Sequence, residues 1–181
     1  VAPADMDSVQ ADHHSNLGAR MRPHLLAALT AASDGSDVAA SAFWTEKMSE
    51  IKGLLEDWTL NAASGFEAQS GSVDAIDSAA TAVFNVWVTY LVEHALDEEG
   101  LGSIGDSLRS RLLLKMMENP EVMTTYDADA GVSRLWDKRS TPDTVESEAE
   151  IMMLALTDAV AWLSNPDKVG VSENGGFGTD E

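Results

Sequence analysis

The 181 residues are 44% hydrophobic and include no cysteine. That is apolar material for one core or two small ones, with no disulfide or thiolate chemistry. Asp and Glu number 31 against 11 Lys and Arg, a formal net charge of -20, so the basic face that nucleic acid or an anionic membrane surface needs is lacking.

Solubility in a saline setting, where salt screens self-repulsion, is the plain reading of this acidity. A cation-binding acidic surface is the sharper one. The stretch Val1 to Asp12 has no basic start and no apolar run, so no signal peptide is expected there. No run is expected to reach the roughly 20 apolar residues of a membrane span. The first residue is not Met and the end is Gly-rich, which reads as a processed product or a piece of something larger.

In chain order, Asp5 to Ala32 has helical spacing: Met6, Val9, His13 and Leu17, then Met21, Leu25, Ala28, Leu29 and Ala32. Pro23 interrupts it and predicts a kink near Arg20 to Arg22, or two helices meeting there. Ser33 to Ser36 is a turn by composition. One helix is expected from Asp37 to Trp58, with Ala40, Phe43, Trp44, Met48, Ile51, Leu54, Leu55 and Trp58 on its apolar face. Gly53 weakens it by about 1 kcal/mol relative to Ala. Thr59 to Gly71 reads as a loop.

The stretch Ser72 to Leu96 is the centre of the expected core. From Ser78 to Val92 it carries no charged side chain. One stripe runs Ile76, Ala80, Val83, Phe84, Trp87 and Leu91, and Ala79, Ala82, Val86 and Tyr90 fill much of the opposite face. A helix apolar nearly all round is buried on most sides. Its β-branched and aromatic residues also suit a strand. Length, the absence of Gly and Pro, and the cap residue Ser72 favour the helix, over about 73–96.

Asp97 to Asp106 holds three glycines and reads as a loop. An amphipathic helix then runs from about Ile104 to Met117 with Leu108, Leu112, Leu113 and Met116 inward, stopped by Asn119-Pro120. Glu121 to Ser140 is expected to be irregular, with a short turn around Val132 to Trp136. The last helix is expected to start at a Thr141 cap with Pro142 first inside, acids near the positive end of its dipole, and a stripe from Val145 through Ala149, Met152, Met153, Leu156, Ala159 and Val160 to Leu163. Asn165-Pro166 stops it. The expectation is thus an all-α fold, an irregular bundle of about five or six helices around a buried central helix. Residues 1–165 form the helical domain and 166–181 a flexible Gly-rich tail.

Chemistry-bearing patterns are sparse. Val1 cannot act as an N-terminal nucleophile, which needs a hydroxyl or thiol. His13 and His14 are adjacent, so on a helix they point about 100° apart; His13 reads as a partly buried polar residue and His14 as solvent-facing. His24 and His94 are isolated. Tyr126 to Gly131 resembles the start of a calcium loop but lacks the third acid and the closing Glu. Met116, Met117, Met152 and Met153 read as core. Gly175 to Gly178 is too short for a phosphate cradle, and Arg20 with Arg22 is too little for a phosphate site. No catalytic, cofactor-binding or metal-ligating residue is assigned.

Several segments do carry a resemblance. Asp5-Met-Asp-Ser-Val-Gln-Ala-Asp12, Ser15-Asn-Leu-Gly18 and Pro23-His-Leu-Leu26 resemble a block of the β subunit of penicillin amidase (penicillin acylase) enzymes. Leu55-Glu-Asp-Trp58 and Ala82-Val-Phe-Asn-Val-Trp87 are similar to that family's L-x-x-W and A-x-F-x-x-W segments. Leu135-Trp-Asp137 with Thr141 and Glu146 resembles its next stretch, although Asp137 follows Trp136 directly. The segments keep the family's order across nearly the whole chain.

The resemblance implies a parent N-terminal-nucleophile hydrolase that cuts linear N-acyl amides, with β-lactam side chains and acyl-homoserine lactones among the family's substrates. Its nucleophilic Ser and calcium ligands would precede Val1, and a W-x-W-G-x-x-H segment would follow Glu181. The chain would then be the helical part of the β subunit, inactive alone, with no cofactor of its own, partnered by the catalytic remainder of the same enzyme, and periplasmic or secreted. The alternative function is a stand-alone acidic helical module that binds a protein partner; a cation-binding bundle is a third.

Overall fold

The computed structural model describes residues 14–62, 69–97, 106–122, 126–127, 132–138, 141 and 144–165. The architecture is an all-α bundle, with one minimal hairpin as its only described sheet. Residues before 14 and after 165, and with them Met6, Val9, His13, Gly175 and the Gly-rich tail, lie outside the described residues.

Helix α1 (Asn16–Asp34) is capped by Ser15, whose Oγ accepts the Gly18 N–H, and closed by Gly35 in the left-handed region at φ 77. Of the two expected alternatives, a kink or two helices meeting, the second is not found: α1 is one helix with Pro23 inside it. Met21 and Leu25 on either side of the proline are fully buried, in phase with Ala28, Leu29 and Ala32. That shared face offsets the lost backbone hydrogen bond.

The expected single helix from Asp37 to Trp58 is two. The short α2 (Val38–Ser41) ends in three tight i→i−3 bonds, from Ala42, Phe43 and Trp44 to Ala39, Ala40 and Ser41. Helix α3 (Glu46–Asp57) restarts at Thr45, whose Oγ1 accepts the Met48 N–H. A second cap residue competes with helix continuation, and here it prevails. Met48, Ile51, Leu55 and Trp58 are buried.

Helix α4 (Val73–Val92) begins at the Ser72 cap as expected and continues into a π-helical turn, Glu93–Asp97. Its inward positions are Asp77, Ala80, Val83, Phe84, Trp87 and Leu91, followed by Ala95 and Leu96 after the turn. The stripe therefore starts at Asp77, with Ile76 only half-buried. The opposite set is less covered than expected: Ala79, Ala82, Val86 and Tyr90 are half-buried. By length and composition the 24-residue helix Val73–Leu96 is apolar enough to cross a membrane, with mean hydropathy 1.3 over its most apolar 18 residues, which corrects the expectation that no run qualifies. Here the inward stripe of that helix lies in the protein's own core.

Helix α5 (Asp106–Glu118) stops at Asn119-Pro120 and buries Leu113, Leu114, Met116 and Met117. Leu108, expected inward, is 57% exposed, since nine residues before Met117 is about half a turn out of phase. Beyond it, β1 (Tyr126–Asp127) pairs antiparallel with β2 (Val132–Ser133), and a 3-10 turn, Arg134–Trp136, seats Trp136 in the core. The hairpin was not foreseen; the short turn was.

Helix α6 (Glu148–Leu163) starts at Ser147 rather than Thr141. Ser147 Oγ accepts the Glu150 N–H and also donates to Asp37 Oδ2 at 2.5 Å. That bond to a residue 110 positions away decides between two plausible caps. Val145, expected in the stripe, therefore lies before the helix and is 69% exposed. Ile151, Met152, Met153, Ala155, Leu156 and Ala159 are buried where α6 packs between α1 and α4.

Candidate functional site

The best-connected polar network links the start of α1, the end of α3 and the first turns of α4. Ser15 N–H donates to Leu60 O at 2.7 Å. Arg22 Nη1 donates to Trp58 O at 2.6 Å, and Trp58 Nε1 to Asn61 O at 3.0 Å. Asn61 O also accepts from Thr81 Oγ1 at 3.1 Å. Leu60 sits between them at φ 71, a left-handed conformation that is strained for a non-glycine residue. Asp77, 1% exposed, accepts the Thr59 N–H at 2.8 Å on Oδ1 and the Thr59 hydroxyl on Oδ2. A buried carboxylate needs such donors. This one ties the loop after α3 to α4.

From Trp58 the aromatic contacts continue inward. Trp58 and Phe84 have ring centroids 5.2 Å apart, Phe84 and Trp87 5.7 Å. Trp87 Nε1 then donates to Met152 O of α6 at 3.1 Å, inside the core. Trp58, Phe84 and Trp87 are three of the four aromatic residues of the motifs quoted above, Trp136 being the fourth, and Gly18 lies against Trp58.

A second cluster surrounds the start of α6. Glu146, 5% exposed, accepts the Lys138 N–H at 2.8 Å on Oε2 and the Thr141 hydroxyl on Oε1. Asp37 caps α2 through Oδ1 and takes the Ser147 hydroxyl on Oδ2. Burial, then the charges of Glu146 and Asp37, push the Glu150 carboxyl above its usual range. The oxygens of Asp37 and Glu146 accept hydrogen bonds from the chain itself. Among the described residues no group of three or more potential ligands could hold a metal.

Several other titratable groups pair locally. His94 Nε2 lies 2.7 Å from Asp158 Oδ2 with Tyr90 stacked on its ring, and His24 Nδ1 lies 3.6 Å from Glu148 Oε1. Arg20 forks onto Glu118 at 2.8 and 2.5 Å, holding that carboxyl below its usual range. Neither Arg20 nor Arg22 is thus available as a phosphate site. His14 is exposed and bridges to Asn61. Tyr126 and Asp127 belong to the hairpin, and 128–131 lie outside the described residues. The four methionines are core, as expected.

Concavities are shallow. One, of about 290 Å³, has His24 and Glu148 over a floor of Ala27, Ala28, Ala149 and Met152. Another, of about 400 Å³, opens along α4 beside Trp162. Every buried side-chain nitrogen or oxygen among the described residues has a hydrogen-bond partner. The buried polar groups serve the domain's own backbone and caps. That arrangement can hold a shape.

The family model for penicillin amidase matches residues 1–174. The chain belongs to the penicillin amidase family. No curated protein and no solved structure matches it. Four residues of the penicillin amidase motifs, Gly18, Trp58, Phe84 and Trp87, form one packed line from α1 to α6. Sequence reasoning missed Asp77 and the Asp37–Ser147 bond, and named Glu146 with Thr141 only as motif residues. The signal for Asp77 was its phase, three residues before Ala80 and seven before Phe84 on the inward stripe.

Proposed function

We propose that this chain is the non-catalytic helical domain of a penicillin-amidase-type N-terminal-nucleophile hydrolase that cleaves N-acyl amides, of the β-lactam side-chain or acyl-homoserine lactone class. The observation that carries the reading is the family match over residues 1–174, joined to the use its motif residues are put to. They pack on one another and bond to backbone carbonyls. On this reading the domain stands beside the catalytic remainder of the enzyme and supports one side of its acyl pocket. The nucleophile and any calcium site of the parent belong to that remainder, and the enzyme works in the periplasm or outside the cell.

The test is direct. The purified chain, offered chromogenic N-acyl anilides, should give no turnover above buffer, while the protein with its catalytic portion should. Turnover by the chain itself overturns the reading. So does a coding sequence that lacks a Ser-led segment upstream and a W-x-W-G segment downstream.

A further inference from the structure

Helix α4 is more apolar than its burial requires. Its inward stripe is covered, yet Val86 and Tyr90 on the other side are half-buried, and Asn85, Thr89 and Glu93 beside them are exposed. With Trp162 of α6 these residues line the open groove of about 400 Å³. Trp162 differs from the other tryptophans. Trp58, Trp87 and Trp136 are buried and Trp44 packs against the core, whereas Trp162 does not join the core cluster. A half-open indole beside a tyrosine is the composition of an interface centre rather than of a solvated rim.

The charges around the groove select what covers it. Glu93 is exposed and makes no ion pair among the described residues. Asp158, on the same helix as Trp162, holds His94, and Tyr90 lies along that ring with centroids 6.5 Å apart. No Lys or Arg lines the groove. Two aromatic faces beside a free carboxylate attract a guanidinium or ammonium group carried on an apolar stem. A second copy of the chain would instead bring another net charge of -20 and a second Glu93.

We propose that the α4–α6 groove is a docking surface for an Arg- or Lys-bearing apolar segment of the catalytic portion of the same hydrolase. The proposal rests on the reading of this chain as that enzyme's helical domain and adds the face and the chemistry of the contact. The cation lies against Trp162 and Tyr90 with Glu93 as its counter-charge, and its stem covers Val86.

Hydroxyl-radical footprinting of the complete hydrolase tests this, comparing native protein with Glu93→Lys and each with itself unfolded in urea. In the native enzyme Trp162 should oxidise about tenfold more slowly than when unfolded, as a desolvated interface centre does. Glu93→Lys should return Trp162 to within about twofold of the unfolded rate, by like-charge repulsion, while buried Trp87 stays protected. Native Trp162 that reacts as fast as in urea overturns the proposal. Protection that survives Glu93→Lys overturns the basic partner, and protection that tracks a concentration-dependent doubling of mass assigns the groove to a second copy. Turnover of N-acyl anilides by the same protein separates the two readings. Turnover without protection removes the docking surface alone, and protection without turnover removes the hydrolase reading.

Discussion

Gly18 and Trp58 touch where no side chain could stand between them: a Cβ at position 18 would lie 2.6 Å from Trp58 Cη2 and 2.9 Å from Ser15 Oγ. The α-helical backbone of Gly18 is ordinary, so the requirement is space. Gly18→Ala gains helix propensity of about 1 kcal/mol but forces the indole to move. Overpacking of that kind costs about 1–3 kcal/mol. A lower urea midpoint with an unchanged slope is the expected result; a higher midpoint means that Trp58 sits elsewhere.

Trp87 joins α4 to α6 both by its ring and by its N–H. Trp87→Ala should lose about 3–5 kcal/mol, as for other large buried aromatics. Trp87→Phe keeps much of the ring and leaves the Met152 carbonyl without its donor, so a smaller loss of about 1–3 kcal/mol is expected. Chemical denaturation of both variants checks the order. Equal losses would show that the ring surface kept by Phe contributes nothing beyond the hydrogen bond to Met152.

Asp77→Ala strips both acceptors from Thr59 and should lose about 1–3 kcal/mol. Asp77→Leu, of closer volume, should not recover it, since the Thr59 N–H stays unpaired in either case. Amide exchange at Thr59 is the specific readout: it should quicken in both variants by more than exchange in the middle of α6, which follows only the global loss. Slow exchange at Thr59 in the variants would remove Asp77 from its assigned role.

The Glu150 carboxyl titrates above its unfolded value because the fold disfavours its charged form. Protonation is therefore favoured on folding. The resulting stabilisation is fully present below the unfolded pKa and is lost as pH rises through the folded one. Glu150→Gln should raise stability at pH 7, by less than about 1 kcal/mol for a group that keeps some solvent. The gain should disappear below about pH 4, near the ordinary carboxylate range. Denaturation curves at the two pH values test the sign, and a loss at pH 7 reverses it.

Much of the helical layout was legible because it depends on local chemistry. Ser72 caps α4, Asn119-Pro120 ends α5, and the spacing of Phe84, Trp87 and Leu91 names an inward face without reference to anything distant. The misplaced boundaries share another cause. Thr45 and Ser147 each compete with a neighbouring plausible pattern, and for Ser147 the winner depends on Asp37, far away in sequence. Position 77 does not read as part of the stripe from sequence alone because the donors that satisfy it, on Thr59, belong to a loop. The apolar excess of α4 was visible, but which part would remain half-covered depended on where α6 ends and Trp162 stands.

The position of α6 also bears on how the protein comes off the ribosome. Trp87 reaches Met152 across 65 residues and Asp37 reaches Ser147 across 110. Contacts so distant along the chain close late and slowly. Until α6 has been made, the emerging polypeptide must carry the inner surfaces of α1 and α4 uncovered, and those are the surfaces on which a trigger-type chaperone would be found.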